Sequence, residues 1–157
     1  QGWRAWNRVQ LEFPAPLFRE LNPAEVRNLD LPARASAWRV TLDRGALAVA
    51  LPDRTALLAW LPPGDLGPAL QRQGLATLVL CAPGSGSVLI RSWLDTGQEA
   101  ASPLAAGAAA CLWQRGIPGR SRVLVRWPCS GEFTRGRLLA GAHAIQRLHL
   151  DLWARQD

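Results

Sequence analysis

Apolar and polar residues alternate over Val9-Gln10-Leu11-Glu12-Phe13, the period of a half-buried strand, and Pro14 and Pro16 end it. A loop follows, and within residues 17–35 one helical turn is predicted at Asn22-Pro23, where Asn caps and Pro takes the first helical position. Trp38 to Leu42 and Ala46 to Leu51 flank the turn Asp43-Arg44-Gly45 at hairpin-like separation, and Ala56 to Leu61 is a candidate third strand. Pro62-Pro63-Gly64 breaks the chain. Asp65 then caps a short helix through Leu66, Ala69 and Leu70, which Gly74 closes. Leu75 to Cys81 and Val88 to Trp93 are nearly continuous apolar strands on either side of the turn Pro83-Gly84-Ser85-Gly86.

The stretch from Thr96 to Gly116 says most. Ser102 before Pro103 is a strong helix start, because a hydroxyl can satisfy an orphan backbone donor and Pro loses nothing by lacking one. Gly116 is a natural stop. Between them Leu104, Ala105, Ala106, Gly107, Ala108, Ala109, Ala110, Cys111 and Leu112 are apolar on every side and mostly small. A helix without a polar face must be enclosed, and small side chains all round suit strands that close about it. The tail offers a strand from Arg122 to Trp127, a turn at Pro128-Cys129-Ser130-Gly131, and strands near Phe133 to Leu139 and Ala144 to Trp153. In that last run Leu148, Leu150 and Leu152 alternate with Arg147, His149 and Asp151, which places the leucines toward the core. Trp93, Trp113 and Trp127 are expected to pack around the helix, and Trp3, Trp6 and Trp153 to line an interface.

Composition narrows the classes. A chain of 157 residues with 48% hydrophobic and 19% charged residues is expected to form one domain over residues 1–157 and is not a disordered polymer. The longest near-unbroken apolar run, Pro103 to Trp113, is too short for a membrane helix, and no charged-then-apolar leader opens the rows, so a soluble, cytoplasmic, non-membrane protein is expected. Without Met even at position 1, the chain is expected to begin inside a longer product or after processing. All 18 basic residues are Arg and the net charge is +6, but the arginines are scattered singly rather than gathered with aromatics, which disfavours nucleic-acid binding. Three cysteines, Cys81, Cys111 and Cys129, lack metal-ligand spacing or even pairing, so reduced core thiols are expected and no metal site.

Leu66-Gly67-Pro68-Ala69-Leu70, then Val88-Leu89-Ile90-Arg91-Ser92-Trp93, then Gly97-Gln98-Glu99 leading into the small-residue helix to Arg115-Gly116, then Val123-Leu124-Val125-Arg126-Trp127-Pro128-Cys129-Ser130-Gly131-Glu132 resemble the C-terminal lobe of diaminopimelate epimerase. They also resemble the related isomerases of phenazine biosynthesis. Val9 to Pro14 is similar to that lobe's opening strand and Val40 to Val49 to the segment carrying its Gly-Asn-Pro-His motif, so the resemblance spans nearly the whole chain. It implies an α+β fold: a single epimerase-like lobe whose mixed, largely antiparallel sheet wraps as a barrel around a central helix. It also implies cofactor-independent chemistry between two such lobes, with one thiolate removing an α-proton and a second thiol supplying a proton on the opposite face. Helix N-termini in that family hold the substrate carboxylate, and carried onto this chain the role falls to Ser102, Leu104 and Ala105.

The sequence departs from the family pattern at the chemistry. Where a catalytic Cys followed by Gly-Thr-Gly is expected, the chain reads Ala101-Ser102-Pro103-Leu104-Ala105, and Pro103 removes one donor from the helix start. The Asn of the Gly-Asn-Pro-His segment is replaced within Arg44-Gly45-Ala46-Leu47-Ala48, while Glu99 stays near an acidic position of both subfamilies. The catalytic candidates are therefore Ser102 and Glu99. Ser102 reads first as a plain N-cap and second as a nucleophile; Glu99 reads first as a solvated residue favoured by the helix dipole and second as a substrate-facing carboxylate. His143 and His149 have no partner motif, and Cys111 reads as core. The reading favoured is a degenerate lobe without catalysis of its own, binding a second lobe, a homodimer partner or a small anionic ligand. A cofactor-independent epimerase or isomerase completed by a second lobe comes next, and arginine-mediated nucleic-acid binding last.

Overall fold

Gly45-Ala46-Leu47-Ala48-Val49-Ala50 offers water no polar side chain, and in the computed structural model it is a strand buried on both faces. The structure describes residues 6–14, 16–32, 34–115, 122–129, 133–140 and 145–155, with side chains over 16–32, 34–113 and 123–129. In chain order the elements are β1 (Trp6–Pro14), β2 (Leu17–Leu21), a 3-10 helix (Pro23–Leu29), β3 (Ser36–Thr41), β4 (Gly45–Ala50), α1 (Arg54–Ala59), α2 (Leu66–Arg72), β5 (Thr77–Pro83), β6 (Val88–Leu94), α3 (Pro103–Arg115), β7 (Arg122–Arg126), β8 (Phe133–Ala140) and β9 (Ile145–Arg155). They form an α+β fold on one mixed sheet of nine strands in the order β1-β9-β8-β7-β6-β5-β4-β3-β2. Only β4 with β5 and β6 with β7 run parallel, and each parallel step needs a crossover. The first carries α1 and α2, the second α3.

The two crossovers cover opposite faces. On β4, Ala46 and Ala48 join α3, while Leu47 and Val49 join α1 and α2; on β5, Val79 and Cys81 face α3, and Leu78 and Leu80 face the other way. This is the period-two alternation of a sheet with both faces covered. Ala105, Ala106, Ala108, Ala109, Ala110 and Cys111 of α3 are all wholly buried, as a helix with no polar face requires. The helix contacts every strand from β3 to β9.

The sheet must curl to allow this. β1 and β2 are its two edges, yet Pro14 ends one and Leu17 begins the other, a separation of at most about 11 Å for three residues. A flat sheet of nine strands would hold its edges about 38 Å apart. The closed barrel expected from the sequence is nevertheless not formed, because among the described residues no ladder joins β1 to β2. Their shared corner is built from prolines, which cannot donate to a ladder.

Three further expectations change. Ala56 to Leu61 is helix rather than strand: Asp53 accepts from the Ala56 N–H at 2.8 Å and opens α1. β2 is a strand where a loop was expected, since an edge strand with Leu17, Arg19 and Glu20 exposed has no alternation to read. Asp65 makes no side-chain cap on α2 and lies instead 3.8 Å from Arg72, although Gly74 does follow the helix with φ +67°. The 3-10 helix keeps the expected start, with Asn22 and Glu25 bonded reciprocally to each other's backbone N–H groups. The expectations for Trp3, Gly116, Ser130 to Glu132 and His143, and for the side chains of Trp6, Leu148, His149, Leu150, Leu152 and Trp153, lie outside what is described.

Candidate functional site

β6 runs alongside β7 only at Val88 and Leu89, and beyond this the two strands part. The freed half of β6 is occupied on that side by the segment 95–101, which leads into α3. Gly97, at φ +89°, returns its N–H to the Leu94 carbonyl; the Gln98 carbonyl accepts from the Leu94 N–H, and the Ala100 N–H donates to Ser92 O at 3.0 Å. Ser92 Oγ donates to Ala100 O at 2.6 Å and accepts from Trp127 Nε1 at 3.0 Å, tying the segment to the exit of β7. From behind, α2 closes up at Gly67, where a Cβ would stand 2.9 Å from the Thr96 carbonyl, and Gln71 Nε2 donates to Asp95 O.

A lone Arg sits in the middle of this apolar strand. Arg91 is nine-tenths buried, and its Nε and Nη2 each donate at 3.0 Å to one oxygen of Glu99. Its Nη1 donates to Leu57 O at 3.1 Å and Trp60 O at 2.8 Å, carbonyls of the last turn and the C-cap of α1, where carbonyls lack intrahelical donors. Its guanidinium lies 4.8 Å from the centre of the Trp93 ring, and Trp93 meets Trp60 edge-to-face at 4.9 Å. A buried cation needs such a set of partners. The side chain of Glu99 remains 41% exposed.

Where β6 and β7 part, a cleft of about 520 Å³ opens, lined by Ile90, Arg91, Ser92, Glu99, Ala100, Ala101, Trp127 and Cys129. That volume is within the range of small-molecule sites. Glu99 is in it, so one candidate from the sequence faces a cavity, though with both oxygens already engaged. Ser102 is not among the lining residues. Its Oγ accepts from the Ala105 N–H at 3.1 Å and its carbonyl from the Ala106 N–H at 3.1 Å, which is the N-cap arrangement. With Pro103 lacking a donor, the Leu104 N–H is the one first-turn group of α3 left without a bond among the described residues. No hydrogen bond joins Ser102 to Glu99 there.

Cys81 and Cys111 are core thiols whose ionisation burial pushes up to about 12. Cys129 departs from the core expectation: it follows β7 on the turn that ends the strand and is exposed in the cleft. Trp127 packs toward α3 as expected and Trp113, on α3 itself, packs against the same cluster, but Trp93 points to the opposite face, because it shares the parity of Arg91 on β6. Sequence reasoning missed the Arg91–Glu99 pair, the Ser92–Trp127 bond and Cys129 as a cleft residue. The available signal was the lone charge in Val88-Leu89-Ile90-Arg91-Ser92-Trp93, which demands a partner. Among the described residues, no cluster of three His, Cys, Asp or Glu could hold a metal ion, and no helix is long and apolar enough to cross a membrane.

No family model and no curated protein matches the sequence. Solved structures do match the fold. A phenazine biosynthesis protein of the PhzF family from Bacillus anthracis superimposes with a TM-score of 0.73 at 8% identity, over 94% of this chain and 59% of that one. A putative phenazine biosynthesis PhzC/PhzF protein from Clostridium difficile gives 0.67 at 12% identity, over 96% and 56%. A predicted epimerase from Pseudomonas aeruginosa gives 0.65 at 18% identity, over 96% and 58%. The chain therefore shares the fold of these PhzF-family and predicted-epimerase structures, and it spans little more than half the length of these neighbours.

Proposed function

We propose that this protein is an epimerase-like lobe, barrel-like in its wrap around α3, that does not catalyse by itself and binds a second lobe, another copy of itself or a small anionic ligand. The observation that carries this reading is the engagement of the two candidate groups. The Ser102 hydroxyl accepts the Ala105 N–H as a cap, and both Glu99 oxygens are held by Arg91, so neither is placed to take a proton from a substrate carbon. An alcohol without an adjacent base is also a poor nucleophile. The chain matches 56–59% of the PhzF-family neighbours, and a second lobe is what would correspond to the rest of those chains.

An epimerase or isomerase completed by a second lobe is the competing reading, favoured by a ligand-sized cleft containing both Glu99 and the exposed Cys129. Proton exchange separates the two. The protein, incubated in heavy water with amino acids, is expected to leave the α-proton in place. Wash-out of that proton, abolished in Glu99→Ala or Cys129→Ala, overturns the non-catalytic reading. Size-exclusion mass reads the partner directly: a dimer is expected if two copies pair.

A further inference from the structure

The cleft beside β6 contains one buried cation and one half-exposed anion, and its other lining side chains are uncharged. The two charged groups differ in how they are held. The Arg91 guanidinium is fixed from behind by the Leu57 and Trp60 carbonyls and by the Trp93 ring. It cannot follow a departing partner. The carboxylate of Glu99 is bonded only to Arg91 among the described residues, and with 41% of its side chain exposed it can swing into water. When it does, the Nε and Nη2 edge of Arg91 is left as a rigid fork shaped for two coplanar oxygens.

We propose that Glu99 is an internal stand-in for a ligand carboxylate: the cleft takes a small carboxylic acid whose carboxylate replaces Glu99 on Arg91 while its apolar body lies beside Trp127 and Ala101. This rests on the anion-binding arm of the function proposed above and names its site and ligand class. A carboxylate fits better than a phosphate, because the cleft offers one cation and a planar pair of donors rather than several positive charges. Ile90, Ala100, Ala101 and Trp127 favour a ligand with a short aliphatic or aromatic body. The site differs from the start of α3, where Ser102 and Pro103 leave a single donor, at Leu104, without a bond among the described residues.

The test is calorimetric titration of benzoate and of benzamide into the full chain and its variants. Benzoate is expected to bind and benzamide not. Glu99→Gln keeps an acceptor for Arg91 but no competing charge; if Glu99 plugs the fork in nine molecules of ten, this variant binds benzoate about tenfold more tightly. Arg91→Gln is expected to abolish binding. Equal binding of benzoate and benzamide, an affinity unchanged by Glu99→Gln, or no binding to either protein overturns the proposal. Should Arg91→Gln fail to fold, the other two comparisons decide alone. Failure here leaves the non-catalytic reading standing on its exchange assay, and exchange found there leaves this site standing.

Discussion

The two faces of the sheet solve opposite packing problems. The face toward α3 is lined by Ala46, Ala48, Val79 and Cys81 against a helix that is itself mostly Ala, whereas the face toward α1 and α2 carries Leu47, Leu78, Leu80 and Trp93 against Leu57, Trp60, Leu66 and Leu70. Strands that curl around a helix leave it little room, so both partners must be small. Helices laid on the outer face of the curl have space for large side chains and need them to fill it. Arg91, the one buried charge among the described residues, is on the roomy face, where the end of α1 can offer its carbonyls.

This contrast can be broken from either side. Leu78→Ala on the outer face leaves a cavity and is expected to cost about 2–5 kcal/mol in denaturant unfolding, the largest effect of the set. Ala109→Leu on the enclosed helix adds volume where nothing can move and is expected to cost about 1–3 kcal/mol. The reciprocal changes are milder, since trimming an enclosed Ala to Gly costs about 1 kcal/mol, chiefly in backbone entropy. If the enlarged Ala109 were accepted without loss, the claim that strands confine α3 would be wrong.

The thiols report the same enclosure. Cys81 and Cys111 stay protonated in the fold up to about pH 12, while in the unfolded chain they ionise near the ordinary thiol value. The unfolded state therefore binds fewer protons above that value, and stability falls as pH rises through the window between the two. Cys81→Ala with Cys111→Ala is expected to flatten this alkaline loss. A disulfide reagent should label Cys129 at once and the other two only on unfolding; three fast-reacting thiols would contradict the burial. The smallest expected effect is Ser102→Ala, about 1 kcal/mol for the lost cap, with thermal denaturation as the readout.

Much of the architecture was readable because the relevant signals are local. The strand at Val9 to Phe13, the hairpin around Asp43-Arg44-Gly45 and the Ser102-Pro103 helix start all appear as expected. α1 was misread because six residues are too few to show a helical period, and only the Asp53 cap separates it from a strand. Cys129 could not be placed because a turn residue's exposure depends on how β6 and β7 part. At the site, Glu99 and Ser102 were found as residues and Ser102 was read as the cap it is, but Arg91 was not foreseen as the partner of Glu99.

The sequence by itself determined most of the elements, α1 and β2 excepted, and the need to enclose α3, because propensity, capping and apolar periodicity act over neighbouring residues. It also determined that no thiol stands at the helix start. Only the tertiary structure decided that Arg91 would meet Glu99 across eight residues and the carbonyls of α1 across more than thirty. Such contacts arise from the face a strand presents and the place where two strands diverge, and those depend on the closure of the whole sheet.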